Sequence, residues 1–180
     1  MKYSANELRE RVEVLELQHS VEGWEWAAIG RRYAGVELTG KSNLFSAVGI
    51  GARDAAVLLR DGPLTLNQAL RWRGRHLFLT QITRGVRGWM DVGAAVVDVA
   101  PCRSGEVGKF PGVLTEKYLG HRQEEPMALN TLTCVLVTPK AVELAPGALV
   151  EVDGTPWPIL LAHTLDPHKN EYEIARIAEP

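Results

Sequence analysis

The chain has 180 residues, 46% of them hydrophobic, enough to bury a core in one ordinary domain or two small ones, which excludes a chain disordered throughout. Twenty Lys and Arg against 22 Asp and Glu leave a formal charge of −2, so no uniformly basic surface marks a nucleic-acid binder. The total conceals an asymmetry: residues 1–90 carry 13 basic and 9 acidic side chains (+4) and residues 91–180 carry 7 and 13 (−6), a dipolar pattern suited to head-to-tail stacking.

Period-2 alternation opens at Arg11-Val12-Glu13-Val14-Leu15-Glu16-Leu17 and predicts a half-exposed strand with Val12, Val14 and Leu17 inward. Trp24 and Trp26 lead into a long extended stretch from Ala27 to Leu38, where Gly30 and Gly35 suggest the bends of a small curled sheet. Residues 40–51 are irregular and read as a short helix or an ordered loop, because Gly49 and Gly51 interrupt any helix begun at Leu44. Strands follow at Ala55 to Arg60, Ala69 to Arg73, Leu77 to Thr83 and Trp89 to Val99, with turns at Asp61-Gly62-Pro63, Gly74 and Gly85 to Gly88. Residues 101–128, rich in Pro and Gly with a mixed-charge middle, read as a long functional loop or linker with a short helix near Leu114 to Leu119. Four more strands are expected at Leu132 to Thr138, Ala148 to Val152, Trp157 to His163 and Glu171 to Ile177.

Laying one half of the chain over the other so that position 70 meets position 150 reveals an internal echo. Leu70-Arg71-Trp72-Arg73-Gly74 then falls on Val150-Glu151-Val152-Asp153-Gly154, Leu77 and Leu79 on Trp157 and Ile159, and Val92 on Tyr172. Two tandem barrels explain this echo, and so does the common pattern of antiparallel hairpins around a glycine turn. The expected fold is therefore mainly β: one or two small antiparallel barrels in tandem, with long loops and at most short helices. Cys102 and Cys134 lie in or beside apolar runs and read as reduced core residues, favouring the cytosol. The polar N-terminus does not resemble a signal peptide, and no run of about 18 apolar residues spans a membrane.

Gly35, Gly40, Lys41 and Ser42 satisfy G-x-x-x-x-G-K-[ST], the loop whose N–H groups, lysine and hydroxyl hold nucleotide phosphates and Mg²⁺, with Asp98 as a conceivable metal partner. Arg31-Arg32 in the preceding strand, the glycines after it and the missing βα alternation argue against that reading. His163, Asp166 and His168 bracket a turn and read as a hydrated hairpin loop rather than a metal site. Arg71, Arg73 and Arg75 alternate around Trp72, a combination used on single-stranded nucleic acid. The simpler expectation puts Trp72 in the core and the arginines on a solvated or subunit-facing edge. No nucleophile motif and no cofactor site emerge otherwise, so no catalysis is expected.

The order of Leu8-Arg9-Glu10-Arg11-Val12, Trp26, Tyr33-Ala34-Gly35-Val36-Glu37-Leu38-Thr39-Gly40-Lys41 and the hairpin from Leu70 to Leu79 resembles the head–tail joining, or head-closure, proteins of long-tailed bacteriophages. The last hairpin, Ala148 to Ile159 and then Asp166 to Ile177, is similar to the final hairpin of such connector proteins. The likeness spans most of residues 8–100 and 136–178. A typical member matches residues 8–100 alone, and the surplus beyond them implies either a repeat or a second module. The resemblance implies a joining-type barrel at 8–100, the linker at 101–128 and a second barrel-like module at 129–180. It further implies a structural virion protein, made in the host cytoplasm, that forms a hexameric or dodecameric ring at the head–tail interface. Its partners would be a portal or adaptor protein, a tail-completion or tail-tube protein and the genomic double-stranded DNA in the channel, with no membrane and no cofactor. The expected ring and partner contacts are Lys41, Asn43, Phe45, Arg71, Arg73, Arg75, Lys109, Lys117 and Arg122, on the hairpin and on contact loops at 40–52 and 101–128. Residues 104–125 would then be dispensable for folding. The rival readings are a P-loop nucleotide-binding enzyme using residues 35–42 and a small β-barrel nucleic-acid binder.

Overall fold

A computed structural model describes residues 8–41, 53–85, 88–116 and 131–177. Within them the chain forms twelve strands and no helix: β1 (Glu10–Ser20), β2 (Gly23–Lys41), β3 (Arg53–Arg60), β4 (Gln68–Trp72), β5 (Arg75–Arg84), β6 (Trp89–Val97), β7 (Ala100–Ser104), β8 (Gly108–Glu116), β9 (Thr131–Pro139), β10 (Leu149–Val152), β11 (Thr155–His163) and β12 (Lys169–Ile177). β1 to β6 hydrogen-bond in the order β1-β4-β5-β6-β3-β2, and β1 pairs β2 to close the ring. β7 to β12 follow in the order β7-β10-β11-β12-β9-β8, and β7 pairs β8 to close a second ring. The chain is thus two closed six-stranded barrels, antiparallel within each, built by one topology, 1-4-5-6-3-2.

Closure follows from sequence features that add curvature. β2 carries an extra residue relative to β1 at Ile29, since Val14 faces Gly30 while Leu15 faces Ala28, and further bulges fall at Thr80 and Leu160. The two central hairpins share one turn. Arg73 (φ 49°) and Gly74 (φ 78°) join β4 to β5, and Asp153 (φ 49°) and Gly154 (φ 76°) join β10 to β11, the two positive φ values a right-twisted two-residue turn demands. The internal echo is therefore structural from β4 onward. β4, β5 and β6 begin at Gln68, Arg75 and Trp89, and β10, β11 and β12 begin at Leu149, Thr155 and Lys169, a nearly constant interval. Earlier strands depart from that interval because their connections differ in length.

Each barrel has its own core. Val12, Val14, Val57, Leu59, Leu70, Trp72, Leu77, Leu79, Met90 and Val92 fill the first, and Cys102, Phe110, Cys134, Leu136, Val150, Trp157, Ile159, Tyr172 and Ile174 fill the second. A strap closes one end of each: Leu64, between β3 and β4, enters the first core, and Val142 and Leu144, between β9 and β10, enter the second. Different chemistry holds the two straps. Arg84 pairs with Asp61 in the first. In the second, Tyr172 Oη donates to Val142 O and accepts from Leu144 N, both at 3.0 Å, while Asn170 Nδ2 donates to Val142 O at 2.9 Å.

Two expectations fail against this architecture. Residues 101–116 are not a linker, and Leu114 to Glu116 is not helical: this stretch is the β7–β8 hairpin, the first two strands of the second barrel, which begins at Ala100 rather than at 129. Pro101 faces Pro111 across the hairpin, while β10 pairs only with Cys102–Ser104 and β9 only with Val113–Glu116. Both prolines thus sit past the ends of the neighbouring ladders, where a missing N–H costs no sheet hydrogen bond. Residues 117–128 of the expected linker lie outside the described residues. Leu17 does not enter the first core either. It follows Glu13 and Leu15 on the outer face and lines a cleft between the barrels.

Candidate functional site

The most built-up surface is the joint between the barrels. Phe78 on β5 and Ala95 and Val97 on β6 form one buried cluster with Val113 on β8 and Val135 and Val137 on β9. Strand alternation explains it: Leu77, Leu79, Ala94 and Val96 point into the first barrel, so their neighbours point out and meet the outer face of the second. The β1–β2 hairpin also reaches across. Trp24 packs against the second core, Lys109 N donates to Glu22 O at 2.9 Å, and Gly23 pairs with Lys109 in a sheet bridge. Gly23 has φ 133°, and a Cβ there would lie 2.0 Å from Lys109 O, so only glycine permits this approach. Lys109 Nζ meets Glu22 Oε2 at 2.5 Å and holds that carboxyl below the usual carboxylate range.

Beside the joint a cleft of about 340 Å³ is lined by Leu17, Trp26, Leu66 and Phe78 of the first barrel and Pro139, Lys140 and His168 of the second. His168 Nδ1 and Asn67 Oδ1, 2.9 Å apart, bridge its rim. Trp26 lies 5.3 Å from the His76 ring, whose burial, with Arg71 nearby, lowers its pKa to about 4. This cleft and the joint are not legible in the sequence, because neither Gly23 nor the Gly108-Lys109 turn has a local signature beyond that of an ordinary bend.

The arginine hairpin is an ion-pair ladder. Arg71 binds Glu13 (Nη2–Oε2 2.6 Å), which also receives Arg31 Nε at 3.2 Å. Arg73 binds Glu10 (Nη2–Oε1 2.5 Å) and lies over the Trp72 ring, whose Nε1 donates to the same carboxylate at 3.0 Å. These hydrogen bonds, from Arg73 and Trp72 to Glu10 and from Arg71 and Arg31 to Glu13, depress both carboxyl pKa values. Trp72 is in the core as expected, while Arg71 and Arg73 serve the β1–β4 contact and Arg75 is exposed. Lys109 belongs to the joint.

Gly35, Gly40 and Lys41 lie within strand β2, with Gly35 opposite Leu58 and Lys41 opposite Arg53. An extended, ladder-paired segment cannot turn successive N–H groups onto one phosphate, so residues 35–41 do not form the nucleotide loop that the motif suggests. Ser42, Asn43, Phe45, Lys117 and Arg122 lie outside the described residues. His163, Asp166 and His168 do not converge. His163 Nε2 faces Glu173, Asp166 Oδ1 accepts from His168 N and Lys169 N, and the His168 ring turns to Asn67. Both cysteines are buried and form no disulfide, and burial pushes the Cys102 thiol up to about 12. No family model matches the chain, and no curated protein and no solved structure is significantly similar to it.

Proposed function

We propose that the chain is a structural subunit of a bacteriophage head–tail connector, a ring that closes the DNA-filled capsid and docks the tail. The observation that carries this reading is the relation between the barrels. Two units of one topology meet through unlike faces, β5 and β6 of one against β8 and β9 of the other, where β8 and β9 are the counterparts of β2 and β3. A twofold pair would satisfy itself, whereas a contact between unlike faces leaves one of each free and, repeated with a rotation that closes, builds a ring rather than an open filament. Six such chains present twelve barrels. The connector role itself comes from the ordered motifs of the first half, including the charged β1 strand, which the arginine hairpin clamps through Glu10 and Glu13.

On this reading a portal or adaptor protein lies on one side of the ring and a tail-completion or tail-tube protein on the other, with DNA in the channel. The sequence segments that join β2 to β3 and β8 to β9, equivalent strands of the two barrels, are the contact segments of this proposal. Residues 104–125 are not dispensable for folding, since their deletion takes out all of β8 and the last residue of β7. The test is electron microscopy of a phage lysate in which this gene alone is disrupted. Free tails beside tailless heads are expected, and intact tailed particles would overturn the proposal.

A further inference from the structure

We infer that a second copy of this chain docks on the outer face of β10 and β11 through the outer face of its own β2 and β3, repeating between chains the contact already made within one. The inference rests on the internal repeat, and on the connector reading only for closure into a ring. The two barrels can be superposed residue by residue. The hairpin turns equate Phe78 with Pro158, Ala69 with Leu149, and Thr80 and Gln81 with Leu160 and Leu161. The inward rows Ala55-Val57-Leu59 and Cys134-Leu136-Thr138 equate Ala56 with Val135 and Leu58 with Val137, and the pairs Gly35–Leu58 and Val113–Val137 then equate Gly35 with Val113.

Within the chain, one face of this contact is Phe78, Ala95 and Val97, none above 9% exposed, with Ala69 beside Phe78 at 1%, and the other is Val113, Val135 and Val137, none above 7%. Apart from Ala175, which takes the position of Ala95 and is 6% exposed, the described counterparts at the two far ends are half-buried or exposed. On the second barrel Leu149, Leu160 and Leu161 are 63%, 50% and 53% exposed, beside exposed Pro156 and Pro158. On the first barrel Ala56 is exposed, Leu58 and Gly35 are half-buried, and Tyr33 next to them is 56% exposed. Three large aliphatic side chains on one sheet face are an unusual outlay of solvent-exposed apolar surface. Leu149 stands at the position of buried Ala69, next to Pro158 at that of Phe78, and Leu160 and Leu161 extend this face where the first barrel has exposed Thr80 and Gln81. The small residues Gly35 and Ala56, where the second barrel has valines, leave room on the receiving face for the leucines. Charge favours the same partner, because residues 1–98, which hold the first barrel, carry 13 basic and 11 acidic side chains (+2) and residues 99–180 carry 7 and 11 (−4), so unlike ends meet.

Single-cysteine additions read the contact directly, since Cys102 and Cys134 are buried. Ala56→Cys and Pro158→Cys proteins, mixed and treated with a short bis-maleimide, should cross-link to each other far more than either does to itself. Dominant self-linking of Pro158→Cys would mean a twofold contact and overturn the inference, as would no cross-link in the mixture. In parallel, the wild-type chain should sediment as concentration-dependent oligomers, and Leu160→Glu/Leu161→Glu, with an unchanged circular dichroism spectrum, should need at least about tenfold more protein to associate. Equal association of wild type and variant would also refute the assignment. Cross-linking together with intact particles in the disrupted lysate would retain the contact and discard the connector role, and tailless heads without cross-linking would do the reverse.

Discussion

Tyr172→Phe isolates the device that closes the second barrel. The Tyr172 side chain is fully buried, and its hydroxyl makes two hydrogen bonds to the strap, accepting from Leu144 N and donating to Val142 O. Removing it does not strand Val142 O, which keeps Asn170 Nδ2 at 2.9 Å and Thr138 Oγ1 at 3.3 Å. The cost therefore falls on Leu144 N–H, which is left in a buried site without its acceptor, a penalty of about 1–3 kcal/mol. With about 2 kcal/mol as the centre, and about 2–4 °C of Tm per kcal/mol for a domain of this size, the melting temperature should fall by roughly 4–8 °C. The assay is thermal unfolding by circular dichroism at neutral pH, with Asn170→Ala as companion. That change removes donors to both Lys140 O and Val142 O and should cost at least as much. A Tyr172→Phe shift below about 1 °C would mean that packing of Val142 and Leu144 alone holds the strap, and the argument from the orphaned N–H would fail.

Gly23→Ala should destabilise by at least about 2 kcal/mol in urea titrations, because the new Cβ meets Lys109 O in a backbone conformation that alanine rarely adopts. Gly30→Ala, with no atom within 4 Å of the added carbon, should stay within about 0.5 kcal/mol, and equal effects would refute the joint's geometry. His76 has a folded pKa of about 4 against 6.5 unfolded, so its contribution is present above pH 6.5 and is lost as pH falls toward 4, by up to roughly 3 kcal/mol. His76→Gln should flatten stability against pH across that window, and an unchanged slope would sink the idea. The Cys102 thiol, pushed to about 12 by burial, should resist an aromatic disulfide reagent in the native state at mildly alkaline pH while reacting rapidly in denaturant. Rapid native labelling would show that the second core is open.

The hairpins are legible because their information is local. Arg73-Gly74 and Asp153-Gly154 each stand between alternating apolar rows, and two-residue turns fix register without reference to distant chain. The β7–β8 hairpin is illegible for the opposite reason. Pro101, Gly105, Gly108, Pro111 and Gly112 read as loop punctuation, yet the prolines lie beyond the neighbouring ladders. Gly112 is required by contact, since a Cβ there would lie 2.7 Å from both Cys102 Sγ and Leu136 Cδ1. Long-range context overrides local propensity. The arginine hairpin shows the same limit. Its alternation with Trp72 is visible, but the acids that engage Arg71 and Arg73 lie 58 and 63 residues earlier on β1. Only the strand order 1-4-5 reveals the basic row of β4 as the complement of the acidic row of β1.

Fusing two barrels into one chain has a consequence that separate copies would lack. In a ring of identical single barrels every contact is the same and every barrel shows the same surface. Here the covalent pair alternates with the proposed intermolecular pair, and a unit of charge +2 (residues 1–98) alternates with one of −4 (residues 99–180). The intramolecular joint is dry and valine-rich, reinforced by the β2–β8 bridge and by Lys109 with Glu22. The proposed intermolecular joint would have only the leucine face and the charge asymmetry. Salt should therefore act on assembly and not on folding. Raising it about tenfold, from roughly 0.05 M to roughly 0.5 M, shortens the Debye length from about 14 Å to about 4 Å and weakens attraction between unlike halves. The melting temperature of the chain should meanwhile move little, because solvent already screens exposed pairs such as Arg31 with Glu13 and they add little to stability. Parallel measurement of oligomer fraction and Tm across that range separates the two joints. If both quantities fall together with salt, the intramolecular contact is electrostatic as well, and the distinction between a dry permanent joint and a charge-assisted assembling one collapses.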